Sequence, residues 1–109
     1  MRDVSDDISA LRRRHDEAAT YLKVDELRAR RPQLETEASR PDLWDDPDRA
    51  RTVTGELSSV TDDLDRYDAL GSRIDDAETL AELAREEHDD SVAAEIEQAL
   101  TDLTADFSA

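Results

Sequence analysis

The sequence predicts an all-α protein, folded as an elongated antiparallel bundle of three to four helices with coiled-coil-like packing. Two observations lead to this fold class. Glycine occurs only twice and proline three times among 109 residues, which leaves few places for turns and favours long helices. Apolar residues also recur at alternating steps of three and four along most of the chain, which is the spacing of one face of a helix.

The longest predicted helix runs from Pro47 to about Glu87. Asp46 is a favoured N-cap, and Pro47 suits the first helical position, where its missing N–H costs nothing. About 40 residues form a rod roughly 60 Å long, which is too long for the core of a compact globule and therefore needs partner helices. Its apolar stripe consists of Ala50, Val53, Leu57, Val60, Leu64, Tyr67 and Ile74, with Gly71 as the only interruption.

Two shorter helices are predicted before it. The first covers residues 5–22 with Ser5 as its cap, and it places His15 on the apolar side. We expect His15 to be a partly buried histidine satisfied by a neighbour rather than a ligand. The second helix covers residues 25–39, with the aspartate at its first position as the cap. It contains Pro32, at which we expect a kink because proline removes a hydrogen bond inside a helix.

The last predicted helix covers residues 91–107, with Asp89 or Asp90 as its cap. Its apolar spacing is still in phase where the sequence stops at Ala109, and no helix-ending signal precedes that point. We therefore expect residues 1–109 to be a single helical domain, the amino-terminal fragment of a longer protein.

The loop over residues 39–46 carries the only tryptophan of the chain, Trp44. We expect Trp44 to pack with Leu43 against the end of the bundle and to fix how the second and third helices meet. In this interpretation Asp46 caps the third helix and Pro47 opens it. The alternative is that Trp44 lies at an interface with a partner, because tryptophan is enriched at such interfaces.

The net charge of −16 argues against nonspecific binding to nucleic acid by the whole molecule. The charge is uneven, however. Residues 1–51 hold 11 basic and 13 acidic side chains, whereas residues 52–109 hold 3 basic and 17 acidic ones. The first half could therefore approach phosphate, while the second half could not.

Motifs of catalysis and metal binding are absent from the sequence. The chain has no cysteine, and its two glycines are isolated, so it contains no thiol nucleophile, zinc cluster or phosphate-binding loop. The aspartate pairs lack the glycine and the final glutamate of a calcium loop, and no apolar run reaches membrane-spanning length. We expect a soluble, cytoplasmic protein that is not an enzyme, holds no cofactor or metal, and binds neither membrane nor DNA.

One stretch resembles a known family. Leu43-Trp44-Asp45-Asp46-Pro47, followed by Asp48-Arg49-Ala50, is similar to the start of the central helix in the amino-terminal domain of bacterial class I peptide chain release factors of the release factor 2 type. The strings Val-Asp-Glu-Leu-Arg-Ala-Arg at 24–30, Glu-Leu-Ser at 56–58 and Thr-Leu-Ala-Glu-Leu-Ala at 79–84 are similar to the same domain. The resemblance extends from about residue 5 to residue 109.

This resemblance implies a noncatalytic domain that acts in translation termination at UGA and UAA codons. The Ser-Pro-Phe and Gly-Gly-Gln motifs with which the family reads stop codons and triggers hydrolysis do not occur in this chain. The implied role is to position the factor at the base of the large-subunit stalk of the ribosome. Ribosomal protein L11 and its rRNA would be partners there, as would the GTPase class II release factor. The candidate ribosome-facing basic patch consists of Arg12, Arg13, Arg28 and Arg30.

Two other function classes stay open at this point. A free-standing coiled-coil protein that dimerises or binds a partner helix would show the same apolar stripes, because such spacing does not say whether the partner helix is in the same chain. An acidic mimic of nucleic acid would need its negative charge gathered on one surface.

Overall fold

The computed structural model describes residues 2–108 and confirms the all-α class. Most of these residues belong to four α-helices: α1 Ser5–Tyr21, α2 Val24–Ala38, α3 Pro47–Glu86 and α4 Ala93–Ser108. A short 3₁₀ turn, Leu43–Asp45, precedes α3, and the described part of the chain contains no β-strand. None of its helices is both long enough and apolar enough to cross a membrane. The two ends of the predicted domain, at positions 1 and 109, lie outside the described residues.

The chain divides into two compact units. Unit 1 contains the described residues up to 18 and from 68 onward, which include most of α1, the second part of α3 and all of α4. Unit 2 is Ala19–Tyr67, which includes α2, the 3₁₀ turn and the first part of α3. Each unit has its own cluster of buried apolar side chains.

Unit 1 is a bundle of three helical segments. Arg2 pairs with Glu97 near the start of α1 and α4, and Arg14, farther along α1, donates a hydrogen bond to Ser108 at the end of α4, so these two helices run parallel. Between them and α3 lies a core that water does not reach, which is the main source of stability in such a bundle. The buried members are Val4, Ile8, Leu11, Ile74, Ala77, Ala81, Ala84, Ile96, Leu100 and Leu103.

Unit 2 pairs α2 with the first part of α3. Arg30 pairs with Glu56, and Glu37 pairs with Arg49, so the residue numbers rise along one helix as they fall along the other. The two segments are therefore antiparallel, as expected of neighbours joined by a short loop. The buried members of this core are Val24, Leu34, Leu43, Ala50, Val53, Val60 and Leu64.

The start of α1 differs from the prediction. Ser5 is already helical, and its N–H donates to the Oδ1 atom of Asp3 at 2.9 Å, while the Val4 carbonyl accepts the first helical hydrogen bond from Ile8 at 3.0 Å. The hydrogen bonds from Ser5 hold the pKa of Asp3 below its usual value. The prediction that Ser5 caps the helix is wrong, because a charged carboxylate two residues earlier is the stronger acceptor.

Leu22 and Lys23 join α1 to α2, and the second of these residues is left-handed. Lys23 has φ 57° and ψ 52°, its N–H donates to Thr20 O at 3.2 Å, and its carbonyl accepts from Leu27 N–H at 3.0 Å. The second helix therefore begins at Val24, and Asp25 lies inside its first turn. The prediction that Asp25 is the cap is wrong, because a cap residue must itself be outside helical geometry. The negative charge of the Asp25 carboxylate still interacts favourably with the positive end of the helix dipole.

The proline in α2 does not end the helix. Pro32 is exposed and lies within the continuous helix Val24–Ala38. The hydroxyl of Thr36 donates to the Pro32 carbonyl at 3.0 Å, as serine and threonine often do inside helices. The kink at Pro32 stays a prediction.

The end of α3 is closed by a left-handed residue as well. His88 has φ 51°, its N–H donates to Arg85 O at 3.3 Å, and the N–H of Asp89 donates to Ala84 O at 2.9 Å. These two bonds form a Schellman motif with histidine in the position where glycine is usual. They satisfy carbonyls that a helix end would otherwise leave without partners.

The connection to α4 is held by an aspartate side chain. Asp89 Oδ1 accepts the N–H of Ser91 at 2.8 Å, and the hydrogen bonds from Ser91 lower the pKa of Asp89. The helix itself begins at Ala93, so the predicted start at residue 91 is two residues early.

The glycine that interrupts the apolar stripe of α3 has a packing role. The imidazole of His15 lies over Gly71, and a Cβ at this glycine would stand only 2.8 Å from His15 Cε1. Arg12 pairs with Asp75 one turn away, so this part of α1 is antiparallel to α3. His15 is half-buried and meets the ring of Phe107 edge-on at 6.2 Å, which agrees with the expectation of a packed histidine.

The two glycines of α3 provide a matched pair of variants. We expect Gly55→Ala to raise the free energy of unfolding by about 1 kcal/mol, because alanine is the better helix former and a Cβ there meets open space. Gly71→Ala should give a smaller gain or a loss, since its Cβ displaces the imidazole of His15. Urea denaturation of both variants measures the difference.

The control is the same change in a His15→Ala background. There Gly71→Ala should stabilise the protein as much as Gly55→Ala does. Equal gains from the two single variants in the unmodified chain would contradict the packing role of Gly71.

Candidate functional site

Residues 42–46, here called the tryptophan turn, lie between α2 and α3 in unit 2. Leu43 is only 4% exposed and belongs to the core of unit 2, whereas Trp44 is 66% exposed. The prediction that Trp44 packs with Leu43 is therefore wrong. In a 3₁₀ turn consecutive side chains point about a third of a turn apart, so burying Leu43 directs Trp44 outward. This assignment leaves the interface interpretation of Trp44.

Backbone hydrogen bonds hold the tryptophan turn. The N–H of Asp45 donates to Asp42 O at 3.1 Å, and the N–H of Asp46 donates to Leu43 O at 3.2 Å. Asp46 Oδ1 in turn accepts the N–H of Arg49 at 3.2 Å, which is the geometry of an N-cap. Pro47 is the first residue of α3, as its fixed φ favours. The turn is thus tied both to the core and to the start of a helix.

Two of the four candidate arginines lie in unit 1. Arg12 pairs with Asp75 and with Glu78, each at 2.9 Å, and hydrogen bonds to Glu78 and Asp75 raise its pKa. Arg13 is exposed, and the described residues provide it with no ion-pair partner. Arg12 therefore bridges α1 to α3, and Arg13 is the more accessible cation of this pair.

The other two candidate arginines lie in unit 2. Arg30 forms a two-pronged bond to Glu56, with nitrogen–oxygen distances of 2.9 and 3.2 Å. This geometry raises the pKa of Arg30 and lowers that of Glu56. Arg28 is exposed, and its guanidinium lies 6.0 Å from the centroid of the Tyr67 ring, within cation–π distance.

A family model described as the PCRF domain matches residues 27–109. The chain belongs to the PCRF domain family. This match includes the tryptophan turn, Arg28 and Arg30, whereas Arg12 and Arg13 precede it.

Curated relatives of this PCRF domain carry the name peptide chain release factor 2. The chain is 44% identical over 101 residues to the protein from Kineococcus radiotolerans, covering 93% of the chain and 28% of that protein. It is 48% identical over 95 residues to that from Beutenbergia cavernae, covering 87% and 25%. It is 39% identical over 99 residues to that from Streptomyces avermitilis, covering 91% and 27%. The chain thus spans about a quarter of the length of these relatives.

The described surface of the PCRF domain presents groups that are suited to binding. Among residues 2–108, no three histidines, aspartates or glutamates come together as metal ligands would. A cavity of about 470 Å³ in unit 1 is lined by Arg2, Glu78, Arg85 and other residues, and its charged groups are of both signs. What the described surface offers is an exposed indole and several guanidinium groups held by helices.

Sequence reasoning missed the acidic partners of the candidate arginines. Asp75, Glu78 and Glu56 look like ordinary solvated residues of α3 in the sequence. The spacing of Asp75 and Glu78, one helical turn apart, was the only local signal that they could share a cation. Which arginine they meet depends on how α1 packs on α3, and local patterns do not contain that information.

Alanine variants of the tryptophan turn should show that Leu43 and Trp44 contribute differently to stability. We expect Leu43→Ala to lower the free energy of unfolding by about 2–4 kcal/mol, because it leaves a cavity in the core of unit 2. Trp44→Ala should change it by less than about 1 kcal/mol, since the indole is mostly exposed. Thermal or urea unfolding of both variants provides the measurement, and a large loss from Trp44→Ala would show that the indole is packed in solution.

The pair between Arg30 and Glu56 should make stability depend on pH. The folded-state pKa of Glu56 is depressed, so its stabilising contribution is present above the unfolded-state pKa, which is about 4.3 for glutamate. The contribution is lost as the pH falls through the depressed folded-state value. We therefore expect Glu56→Gln to lower the melting temperature at pH 7 and to have little effect once the carboxylate is protonated.

Glu82→Gln is the matched control for this titration. Glu82 is also exposed on α3, but it forms no ion pair within the described part of the chain. Melting curves of the three proteins between neutral and strongly acidic pH provide the comparison. A deficit of Glu56→Gln that is the same at every pH would contradict the role of the pair.

Proposed function

We propose that this PCRF domain is the noncatalytic amino-terminal domain of a class I peptide chain release factor of the release factor 2 type. It acts in translation termination at UGA and UAA codons, in the cytoplasm. The observation that carries this proposal is the 44% identity to peptide chain release factor 2 of Kineococcus radiotolerans, which extends over 93% of the chain.

The role we assign to the domain is positioning of the factor on the ribosome. The chain corresponds to about a quarter of its relatives and lacks the Ser-Pro-Phe and Gly-Gly-Gln motifs, which supports a division of labour within the full-length factor. Its contact would be the base of the large-subunit stalk, with ribosomal protein L11 and its rRNA. The GTPase class II release factor is a further partner in this proposal.

The exposed arginines are the groups that we assign to the ribosome contact. Arg13 and Arg28 are exposed, and a guanidinium recognises phosphate or carboxylate through paired hydrogen bonds. Arg12 and Arg30 keep their charge but are already paired with carboxylates of α3. Because the side chains of Arg13 and Arg28 are the more exposed of the four, we expect these two to contribute more to binding.

The alternative, a free-standing coiled-coil protein, is less well supported by the packing. The apolar stripes of all four helices supply the two buried cores of the chain itself. Few residues of these apolar stripes are therefore left exposed for a second chain to cover. A coiled-coil dimer would need these side chains on its surface in the monomer.

Sedimentation of the chain with large ribosomal subunits tests the proposal. We expect the unmodified chain to pellet with the subunits, and to do so less when L11 is missing from them. Arg13→Gln/Arg28→Gln should weaken association by roughly tenfold at low salt, and it should flatten the salt dependence because fewer counterions are released.

Arg49→Gln/Arg51→Gln is the control with the same loss of charge, and these exposed arginines pair with Glu37 of α2 and with Asp48 of α3. Melting curves of both variants verify that the fold is intact. Binding that is unaffected by the removal of L11 would contradict the proposed location. Equal effects of the two double variants would reduce the arginine contact to a general charge effect.

A further inference from the structure

The exposed tryptophan is the feature of the surface that the positioning role leaves unexplained. Trp44 is 66% exposed, although its neighbour Leu43 is almost fully buried. Tryptophan is the side chain that most often dominates the energy of a protein interface when a partner covers it. Its exposure therefore directs attention to what could bind the tryptophan turn.

The backbone presents Trp44 on a rigid support. The hydrogen bonds of Asp45 N–H to Asp42 O and of Asp46 N–H to Leu43 O fix the turn, and Leu43 anchors it to the core. Asp46 is fixed by its bond to Arg49 N–H at the start of α3. Binding to a surface of this kind orders little backbone, which lowers the entropic cost of association.

The carboxylates of Asp42 and Asp45 contribute negative charge to the tryptophan turn. Asp42 and Asp45 are three residues apart in a 3₁₀ turn, where side chains at this spacing lie on the same side. Both are exposed, and neither forms an ion pair with any residue between 2 and 108. Arg49, one helical turn after Asp45, pairs with Glu37 instead.

We propose that the tryptophan turn is a docking surface for a basic protein. An arginine or lysine side chain of the partner stacks on the indole of Trp44, and the carboxylates of Asp42 and Asp45 pair with the same or adjacent cations. Tryptophan is the best of the aromatic residues for cation–π contact, and Asp42 and Asp45 relieve their mutual repulsion when a cation arrives.

The same charges disfavour two other partners of the tryptophan turn, namely RNA and a second copy of this chain. RNA could stack a base on Trp44, but single-stranded nucleic acid is held by positively charged grooves, and the carboxylates of Asp42 and Asp45 repel phosphate. A second copy of this chain carries a net charge of −16 and is repelled as well. The docking surface is a property of the turn itself and does not depend on the ribosomal role proposed above.

Binding of a labelled peptide tests this proposal. The probe is a fluorescein-labelled peptide of alternating arginine and alanine residues, and the readout is its anisotropy with the full chain. We expect saturable binding that Trp44→Ala and Asp42→Asn/Asp45→Asn each weaken by about five- to tenfold, with Trp44→Phe in between. Because Trp44 is the only tryptophan, its fluorescence should change at the same peptide concentrations.

Asp62→Asn/Asp63→Asn removes the same charge from exposed positions of α3 that form no ion pair within residues 2–108, and it should leave peptide affinity within about twofold. Equal weakening by the two aspartate double variants would overturn the proposal, because binding would then follow total charge alone. Trp44→Ala binding like the unmodified chain would also overturn it, as would single-stranded RNA that quenches Trp44 when the peptide does not.

Ribosome sedimentation separates the two proposals. If the chain fails to pellet with large subunits while the peptide results hold, the docking surface stands and the proposed function falls. If the chain pellets and the turn variants leave peptide affinity unchanged, the proposed function stands and the docking surface falls.

Discussion

The apolar stripe of α3 is the constraint on which the rest of the structure depends, because a helix of 40 residues with one apolar side must be covered along its length. The two units cover it in different ways. In unit 2 a single helix lies against it, and the stripe supplies large side chains such as Val53, Val60 and Leu64. In unit 1 two helices share it, and after Ile74 its buried residues are all alanines. Those alanines give room to the isoleucines and leucines of α1 and α4, so large and small side chains alternate across the core as close packing requires.

The same complementarity explains Gly71. The position looks like a defect when α3 is considered alone, since glycine lowers helix propensity and leaves a gap in the stripe. In the bundle it is the place where the imidazole of His15 lies on the helix backbone. The polar side chain of α1 and the missing side chain of α3 are one feature, divided between two segments that are more than 50 residues apart.

These examples show why the fold was largely predictable and its details were not. The long helices follow from a local three–four spacing of apolar residues, so their existence was foreseen, as were buried residues of α3 such as Val53 and Leu64. The turns depend on backbone conformation. Lys23 and His88 adopt left-handed φ values, which their residue types do not predict. Because Lys23 is left-handed, α2 begins at Val24, one residue before the predicted start at Asp25. Trp44 was misassigned because its direction is fixed by the buried Leu43 next to it. The acidic partners of Arg12 and Arg30 lie on another helix, and only the packing brings them together.

Salt should distinguish the two proposed binding surfaces, because their forces differ in range. Exposed arginines such as Arg13 and Arg28 attract a partner over distances comparable to the screening length, about 8 Å at physiological ionic strength, and their contribution falls as salt rises. Binding at the tryptophan turn combines the pairing of two carboxylates with the burial of an indole. The burial contributes at short range, and salt hardly weakens it. A chain with a net charge of −16 gains little from long-range attraction to acidic surfaces, so a contact made through its arginines must be local and well oriented. A rigid aromatic on an acidic turn is better matched to the overall charge, since the field of the whole molecule then favours the approach of a basic partner rather than opposing it.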